Sequence, residues 1–354
     1  MSAWYGAFRQ RWYATPLLLA VIFVGLAVLP YVLDVNLFGA GLKTVFSVHI
    51  LVITLVWAYT AQAWNIVEGY VGQFSLGHAA FFGLGAYVPV LLIHEFTLNP
   101  WVGMLIGGVV AAGYGGLIGA LCFRYRLSGN YFTLATLAFS ELLRHVFVNA
   151  QELGGASGYV RPLPAAYATG YGLAAFQFRD TLPYYYVILA FLVVVTLVSL
   201  VIKQSRLGLH LFAIRDNEAA ATAIGIPTFR YKVTALAVSA FFTAWAGSFW
   251  SMYFASIRPN VVFDVLTNVD ILLPAIVGGI GTVVGPIVGS IVLTAASELA
   301  RHGFDVAGLE NLVYGLILIG VILYTPAGLV SWPRRTMDSI DSPEPRTGAA
   351  SDDR

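Results

Sequence analysis

A group of ionisable side chains lies inside an apolar segment of this sequence, where it could carry charge or protons. Glu141 and Arg144 are three residues apart, and Glu141 and His145 are four apart, so a helix would place all three on one face. Ionisable groups at membrane depth are costly unless they pair or face water, so an ion pair there can mark a solute or proton path. It can equally be a structural pair near the outer surface, and both interpretations stay open.

A second polar group lies in the glycine-rich stretch 69–87. Gln73, Ser75 and His78 bring hydrogen-bonding side chains into a segment of small and apolar residues. Glycine lets membrane helices approach closely and lets the backbone kink beside a pathway. The stretch therefore predicts a pathway-lining or gating segment, with tight helix packing around satisfied polar groups as the alternative.

A charged segment, residues 203–231, interrupts the apolar sequence and predicts a short helix outside the membrane. Its run from Asn217 to Ala223 has an acidic start and a face of small residues, and Gly225 and Pro227 end it. Most charged loops are only solvated connections. A helix of this kind, however, is suited to lie in a groove of another protein, which favours a membrane subunit driven by a separate motor.

Motifs of nucleotide-binding and hydrolytic enzymes are absent from the sequence. A P-loop needs G-x-x-x-x-G-K-[ST], and no lysine of this chain follows a glycine. The sequence contains neither H-E-x-x-H nor G-x-S-x-G. The single cysteine, Cys122, excludes an internal disulfide and most cysteine metal sites. We therefore predict no catalytic residue, no metal and no cofactor.

The composition of the chain places these residues in a membrane. The 354 residues are 58% hydrophobic and 10% charged, and their mean hydropathy is +0.79. Soluble domains carry about 25% charged residues, so an integral membrane protein is the class that fits. The net charge of +1 gives no indication of nucleic-acid binding.

Apolar windows predict an all-α polytopic membrane protein of about ten transmembrane helices, some broken or re-entrant. The window 269–300 is too long for one crossing and contains Gly278 and Gly285-Pro286, so we divide it into two crossings, or a crossing and a re-entrant piece. Lys and Arg favour the cytosolic side, and ten crossings put both termini there. The window 75–93 is a crossing or a re-entrant segment. The other windows are 16–33, 46–67, 101–123, 131–148, 184–202, 232–255 and 309–325.

These segments predict one transmembrane domain over residues 1–336. It includes the cytosolic loop 203–231 and an external loop, 149–183, which either docks an external partner or only connects helices. The polar tail 337–354 is expected to be disordered and cytosolic. The first apolar window lacks a clear cleavage site, so we expect it to be retained as a helix.

Four stretches of the sequence, taken in order, carry a family pattern. They are Trp64-Asn65 to Tyr87, with Gly72-Gln73-Phe74-Ser75-Leu76-Gly77-His78; Tyr131-Phe132 to Arg144; Ser205-Arg206-Leu207-Gly208 through Arg215-Asp216-Asn217-Glu218 to Gly225-Ile226; and Gly278-Gly279-Ile280-Gly281-Thr282 with Gly285-Pro286. Together they cover most of residues 60–330. They resemble the branched-chain amino acid ABC transporter permease family, and specifically its leucine/isoleucine/valine M-type subunit.

That resemblance implies a multi-pass subunit of an importer in a bacterial inner (plasma) membrane. It would pair with a second homologous permease subunit and bind two cytosolic ATPase subunits, while a periplasmic solute-binding protein delivers the solute. The segment from Asn217 to Ile226 would be the helix that enters the ATPase groove. The ATPase-coupling candidates are Arg215, Asp216, Asn217, Glu218, Ala220, Ala221 and Gly225, and the pathway or gating candidates are Gln73, Ser75, His78, Glu141 and Arg144.

One residue departs from the family pattern, which is Glu-Ala-Ala, three residues, then Gly. Ala220 and Ala221 keep this spacing to Gly225, but Ala219 replaces the acidic residue and Glu218 comes one place earlier. The resemblance therefore leaves open which acidic residue meets the ATPase.

We expect the chain to import a branched-chain amino acid or a related small solute, with ATP hydrolysed by partner subunits. Family members resemble one another while moving leucine-like amino acids, urea, amides or aromatic acids. The alternative is an ion-coupled secondary transporter that uses Glu141 and His145 without an ATPase.

Overall fold

The computed structural model describes residues 17–32, 47–160, 172–303, 315–316, 319–320, 323 and 328–331. Much of the predicted window 309–325, part of the loop 149–183 and the whole tail 337–354 lie outside these residues. The α-helices are α1 (Leu17–Val32), α2 (Val48–Trp64), α3 (Glu68–Val71), α4 (His78–Phe96), α5 (Pro100–Arg124), α6 (Asn130–Asn149), α7 (Thr181–Gln204), α8 (Arg206–Asp216), α9 (Glu218–Ala223), α10 (Thr228–Phe254), α11 (Pro259–Val262), α12 (Val265–Gly278) and α13 (Gly285–Gly303). Short 3-10 helices cover Gln151–Leu153, Gly155–Ser157 and Leu329–Ser331.

Six stretches of the described residues are long and apolar enough to cross a membrane. They comprise α2 with α3, α4, α5, α7, α10, and α11 with α12. Two shorter apolar helices, α1 and the Gly285–Leu299 part of α13, accompany them. The prediction of an all-helical polytopic membrane protein is confirmed, but the described helices support six crossings by length and composition, not ten. Four predicted crossings are not among the six, because α1 and the apolar part of α13 are short, α6 carries many polar residues, and most of the window 309–325 lies outside the described residues.

The window 269–300 is divided, as the sequence predicted. α12 ends at Gly278 and α13 begins at Gly285, and the two helices pack against each other across the turn between them. A Cβ atom on Gly278 would lie 1.7 Å from the carbonyl oxygen of Gly285, so the two sides of the turn touch through backbone atoms. Gly279 and Gly281 have φ angles of 125° and 78°, which glycine adopts without strain.

A second break separates α2 from α4. Gly72, after α3, has a φ of 72°, and residues 73–77 are not helical. Unwound backbone at membrane depth needs hydrogen-bond partners inside the protein. One of them is Thr136 of α6, whose Oγ1 accepts the Leu76 N–H at 3.1 Å. α4 therefore begins only at His78, after a non-helical segment held by a neighbouring helix.

α4 and α10 touch through backbone in the middle of the bundle. A Cβ atom on Gly85 would lie 1.9 Å from the carbonyl oxygen of Ala244, and one on Gly247 would lie 1.9 Å from that of Phe82. The Ser248 hydroxyl donates to the Gly85 carbonyl at 2.8 Å. Small residues thus allow the close approach that membrane helices use in place of a hydrophobic driving force. α2 packs beside α10 and contacts α7, α12 and α13.

The bundle has two distinct ends. α8 and α9 lie at one end, beside α3 and the turn between α12 and α13. At the other end β1 (Tyr159–Val160) pairs antiparallel with β2 (Ser256–Ile257). α10 joins the two, since its 27 residues extend about 40 Å at 1.5 Å per residue. We call the end that contains α8 and α9 the α8–α9 end, and the end that contains β1 and β2 the β-ladder end.

Candidate functional site

A sharp turn brings the chain from α7 into α8. The Ser205 hydroxyl donates to the carbonyl of Ile202 at 2.8 Å, and its oxygen accepts the Gly208 N–H at 3.3 Å. A Cβ atom on Gly208 would lie 2.2 Å from the same Ile202 carbonyl oxygen. The Ser-x-x-Gly spacing therefore has a local cause: the serine caps α8, and the glycine makes room for the end of α7.

α9 follows as a separate short helix, as the sequence predicted for 217–223. Asn217 is its N-cap, and Oδ1 of this residue accepts the Ala220 N–H at 3.0 Å. Beyond the helix, Gly225 has a φ of 88°, the conformation that ends helices most readily at glycine.

The two sides of α9 differ in exposure. Ala221 faces the bundle and is 2% exposed, whereas Ala220 and Ala223 are exposed. Ile224 directly after the helix is 77% exposed. Beneath α9 lies a small apolar cluster that joins it to α3, α8 and α10. Its members are Ile66, Tyr70, Val71, Leu211, Ile214, Ala221 and Ala235.

An ion pair fastens the start of α9 to α10. Nζ of Lys232 lies 2.8 Å from Oε1 of Glu218, and the lysine side chain is only 4% exposed while that of the glutamate is 40% exposed. The same ammonium lies 4.4 Å from the ring centre of Phe123 on α5. Its charge is thus balanced by a carboxylate and an aromatic face. Glu218 is directed into its own chain, a contact that sequence reasoning did not foresee.

The remaining coupling candidates separate into an outer and an inner group. The Asp216 side chain is 75% exposed at the end of α8. Arg215 instead reaches towards α3, where Nη1 donates to the carbonyl of Gly69 at 2.6 Å. A residue with the sequence appearance of a surface charge therefore contacts the interior glycine-rich stretch.

A cavity of about 830 Å³ opens beside α9 at this end of the bundle. The end of α5 and the following turn form one wall with two arginines, and α9 with the start of α10 forms the other. The lining residues are Phe123, Arg124, Arg126, Ser128, Glu218, Ala219, Thr222, Thr228, Phe229 and Lys232.

The polar segment predicted around His78 is buried between three helices. His78 Nε2 lies 2.8 Å from the Ser239 hydroxyl of α10, which itself donates to the Ala63 carbonyl of α2 at 2.7 Å. Because that hydroxyl proton is already used, the geometry assigns the ring proton to Nε2. Nδ1 of His78 is then an acceptor with no partner among the described residues.

Other polar atoms near the non-helical segment 73–77 are also buried without a hydrogen-bond partner among the described residues. The carbonyl oxygen of Ser75 accepts from Trp64 Nε1 at 2.9 Å, so Ser75 is held in place. Oε1 of Gln73 is buried without a partner among the described residues, and so is Nδ2 of Asn268 on α12. Asn268 Oδ1 accepts the Ala79 N–H at 2.7 Å. The segment therefore presents polar atoms at membrane depth that remain available to a further partner.

Glu141 and Arg144 form the predicted ion pair on α6. Arg144 Nη2 lies 2.7 Å from Glu141 Oε2, and each side chain is about one quarter exposed. Arg144 also donates to Asn260 of α11 at 3.1 Å, which ties α6 to the β-ladder end. His145 is exposed. The pair lies in a different part of the bundle from α9.

Sequence reasoning missed two further polar positions in α12. Asn268, described above, is one, and Asp270 is the other. Asp270 lines a narrow cavity with Trp57 of α2 and Ser290 and Thr294 of α13. The available signal was an amide and an acid in an apolar helix, both of which are costly there. Among the described residues, no group of three or more His, Cys, Asp or Glu side chains is placed to hold a metal ion.

Comparison with known proteins gives a consistent result. A family model described as "Branched-chain amino acid transport system / permease component" matches residues 46–322. The chain is 27% identical to the high-affinity branched-chain amino acid transport system permease protein LivM of Escherichia coli over 306 residues, which is 81% of this chain and 71% of that protein. It is 23% identical to LivH of the same organism, over 78% of this chain and 92% of LivH. A probable LivM of Methanocaldococcus jannaschii is 23% identical over 71% of this chain and 77% of that protein.

The family model spans the helices that hold the buried polar segment, both breaks and the whole α8–α9 end. The resemblance found in the four sequence stretches is thereby confirmed. The chain belongs to the family of permease components of branched-chain amino acid transport systems.

Proposed function

We propose that this chain is a translocating subunit of an ATP-driven importer of branched-chain amino acids, or of a related small solute, in a bacterial inner membrane. Its family and its LivM and LivH relatives are named for branched-chain amino acid transport. The observation that carries the proposal is α9, a short helix fastened to a membrane bundle on one side and exposed on the other. The chain itself is not an enzyme; ATP hydrolysis belongs to separate subunits.

α9 has the two properties that a coupling helix needs. Its bundle side is fixed by the Lys232–Glu218 pair and by Ala221. Its outer side offers Ala220 and the exposed Ile224 to a groove of an ATPase. Glu218, displaced by one position from the family pattern, then serves as an anchor. Asn217 holds the helix start and Gly225 its end.

ATP-driven closure of the ATPase subunits would push on α9. Because α9 is joined to α10, this push reaches the buried segment through Ser239, which contacts His78. The subunit would thereby alternate between outward-open and inward-open forms. Gln73, Ser75 and His78 are the candidates for lining or gating the path.

The assembly would contain a second homologous permease subunit, two cytosolic ATPase subunits and a periplasmic solute-binding protein. The match of this chain to both LivM and LivH of one organism supports pairing between related but non-identical permeases. The binding protein would dock at the β-ladder end, where the loop 149–183 begins, because the ATPases occupy the opposite end.

The α8–α9 end would face the cytosol. Lys203 lies at the end of α7, Arg206 and Arg215 lie in α8, and Arg230 lies in the first turn of α10; this cluster of positive charges fits the inside-positive bias. Ten crossings over residues 1–336 would then place the N-terminus and the tail 337–354 in the cytosol.

An ion-coupled transporter is not favoured by these findings. It would need Glu141 and His145 as ion-carrying groups, yet Glu141 binds Arg144 and the relatives are permease components of multi-subunit systems. Arg144 and Glu141 remain gating candidates within the importer.

The decisive experiment is affinity purification of the tagged chain from native membranes in mild detergent, with mass spectrometry of the co-eluting proteins. We expect a second permease and one or two kinds of ATPase subunit. A matched preparation of the Gly225→Trp variant should recover the permease partner with less ATPase. If the wild-type chain is recovered alone, as a monomer or homodimer, the proposal is wrong and the ion-coupled transporter becomes the working hypothesis.

A further inference from the structure

Arg215 joins α8 to the interior of the bundle. Its guanidinium donates to the Gly69 carbonyl at 2.6 Å, although 40% of the side chain remains exposed. A Cβ atom on Gly72 would lie 2.7 Å from Cγ of Arg215, so the arginine stem lies across the residue where α3 ends. One side chain thus spans the start of the unwound segment 73–77.

The same guanidinium meets the break between α12 and α13. A Cβ atom on Gly281 would lie 3.0 Å from Nη1 of Arg215 and 3.0 Å from the Gly69 carbonyl oxygen. Likewise, a Cβ atom on Gly69 would lie 2.8 Å from Cα of Gly281. The end of α8, the α3 turn and the second break therefore meet at one point, where a side chain at Gly69 would clash and one at Gly281 would be tightly confined.

Asn65 clamps this junction from beneath. It is fully buried, and its side chain accepts the Gly281 N–H at 2.7 Å and donates to the Thr282 carbonyl at 2.8 Å. Thr282 in turn donates to the Gly279 carbonyl at 2.7 Å and accepts the Gly285 N–H at 3.0 Å. The hydrogen bonds run without interruption from α2 through the break to the first residue of α13.

These contacts have a mechanical consequence. Helix breaks are the places where a bundle can bend, because their residues absorb changes in φ and ψ. A charge-assisted hydrogen bond is stronger than a neutral one and holds its geometry better in a partly buried site. Movement of α8 would therefore break this bond to Gly69 or displace the backbone that Arg215 contacts beside both breaks, at Gly72 and Gly281.

We infer that Arg215, with the Asn65 clamp behind it, is a positioning residue that transmits movement of the α8–α9 end to the breaks at 72–77 and 279–284. This inference rests on the proposed function and adds to it a second route, beside the α10 contact of Ser239 with His78, by which ATPase closure reaches the buried segment. Arg215 acts through the backbone of Gly69 and Gly281, which its Nη1 approaches.

The test uses the complete co-purified complex reconstituted in liposomes with its binding protein. Radiolabelled leucine uptake is divided by ATP hydrolysed in the same vesicles. We expect Arg215→Gln to retain its partners and its ATPase activity but to move about tenfold fewer leucine molecules per ATP, the loss that corresponds to about 1.4 kcal/mol. Arg215→Lys should recover part of the ratio, since an ammonium can still donate to Gly69. Arg206→Gln removes a charge from the exposed start of the same helix and should match the wild type.

A second readout does not depend on transport. In a Cys122→Ser background, Leu76→Cys introduces the only thiol at the half-buried end of the unwound segment. The rate at which maleimide labels this thiol should change on addition of ATP in two complexes, the one with no further substitution and the Arg206→Gln control. It should not change in the Arg215→Gln complex. Gly281→Ala, which intrudes on the same junction, should abolish the response too, and combining it with Arg215→Gln should add nothing further.

Three outcomes would overturn the inference. If Arg215→Gln shows the same ATP-dependent labelling and the same leucine uptake per ATP as the wild type, the junction does not transmit movement of α8 to the breaks. Loss of the ATPase from that variant alone would make Arg215 a docking contact. Absence of an ATPase from the wild-type preparation would refute the proposed function as well.

Discussion

Neutralising Glu218 should loosen α9 more than removing its partner. At the observed 2.8 Å the attraction between Lys232 and Glu218 is about 6 kcal/mol at an effective dielectric constant of 20. The carboxylate is 40% exposed, so solvent screening reduces the net contribution to about 2 kcal/mol. Glu218→Gln keeps the shape and one hydrogen bond, but leaves the ammonium buried without a counter-charge.

Lys232→Met has a different consequence, because the half-exposed carboxylate that remains can be hydrated and methionine fills the space beside Phe123. We expect a loss of at most about 1 kcal/mol, and the double variant should resemble Lys232→Met alone. Glu218→Gln should therefore raise the local opening of α9 about 30-fold, which corresponds to 2 kcal/mol.

Hydrogen exchange of the backbone amides in 218–225, measured in detergent or nanodiscs, reports this opening directly. Asp216→Asn makes the same charge change at an exposed position and should alter exchange by less than about 0.5 kcal/mol. If Lys232→Met opens α9 as much as Glu218→Gln, or if neither changes it, the ion pair is not the anchor.

Three further predictions concern docking, packing and the α6 ion pair. Gly225→Trp places a bulky side chain where a Cβ meets nothing within 4 Å, at a φ of 88° that costs a non-glycine residue about 1–2 kcal/mol locally, so the protein should still insert while ATP hydrolysis is uncoupled from uptake; normal coupled uptake would contradict the docking role. Gly85→Ala drives a methyl group to 1.9 Å from a backbone carbonyl and should cost about 3 kcal/mol of stability, seen as a lower melting temperature, whereas Gly113→Ala, with open space around it, should not lower it. Arg144→Gln leaves Glu141 partly buried and should cost about 1 kcal/mol; leucine uptake per ATP that stays normal would establish the pair as structural, and its loss would place the pair on the path.

Besides the apolar cluster beneath α9, the α8–α9 end has two polar attachments to the bundle. The ion pair at Glu218 joins α9 to α10, and Arg215 joins α8 to the two breaks. Transmission of movement would need both contacts, because α8 and α9 could otherwise slide over the bundle without displacing α10 or the two breaks. In the proposed importer, the exposed Ile224 would be available for contact with an ATPase.

Several features of this protein follow from local sequence alone. Low charge and high hydropathy determine a membrane protein. Asn217, the small residues after it and Gly225 determine where α9 begins and ends, since capping and helix termination depend on neighbours in the chain. Glycines at 278 and 285 likewise interrupt a window that is too long for one crossing. Each of these signals depends on a few neighbouring residues, so it can be interpreted without knowing how the helices pack.

The partners of the polar side chains were decided only by tertiary structure. Lys232 lies 14 residues from Glu218, Gly69 lies 146 from Arg215, and 216 residues separate Asn65 from the Gly281 N–H that it accepts. No local pattern encodes such distances, because they depend on how the helices pack and on which backbone groups the breaks expose. For the same reason the sequence identified Arg215 and Glu218 as candidates for coupling, while only the packed bundle reveals that each, though partly exposed, bonds to the bundle at Gly69 or Lys232.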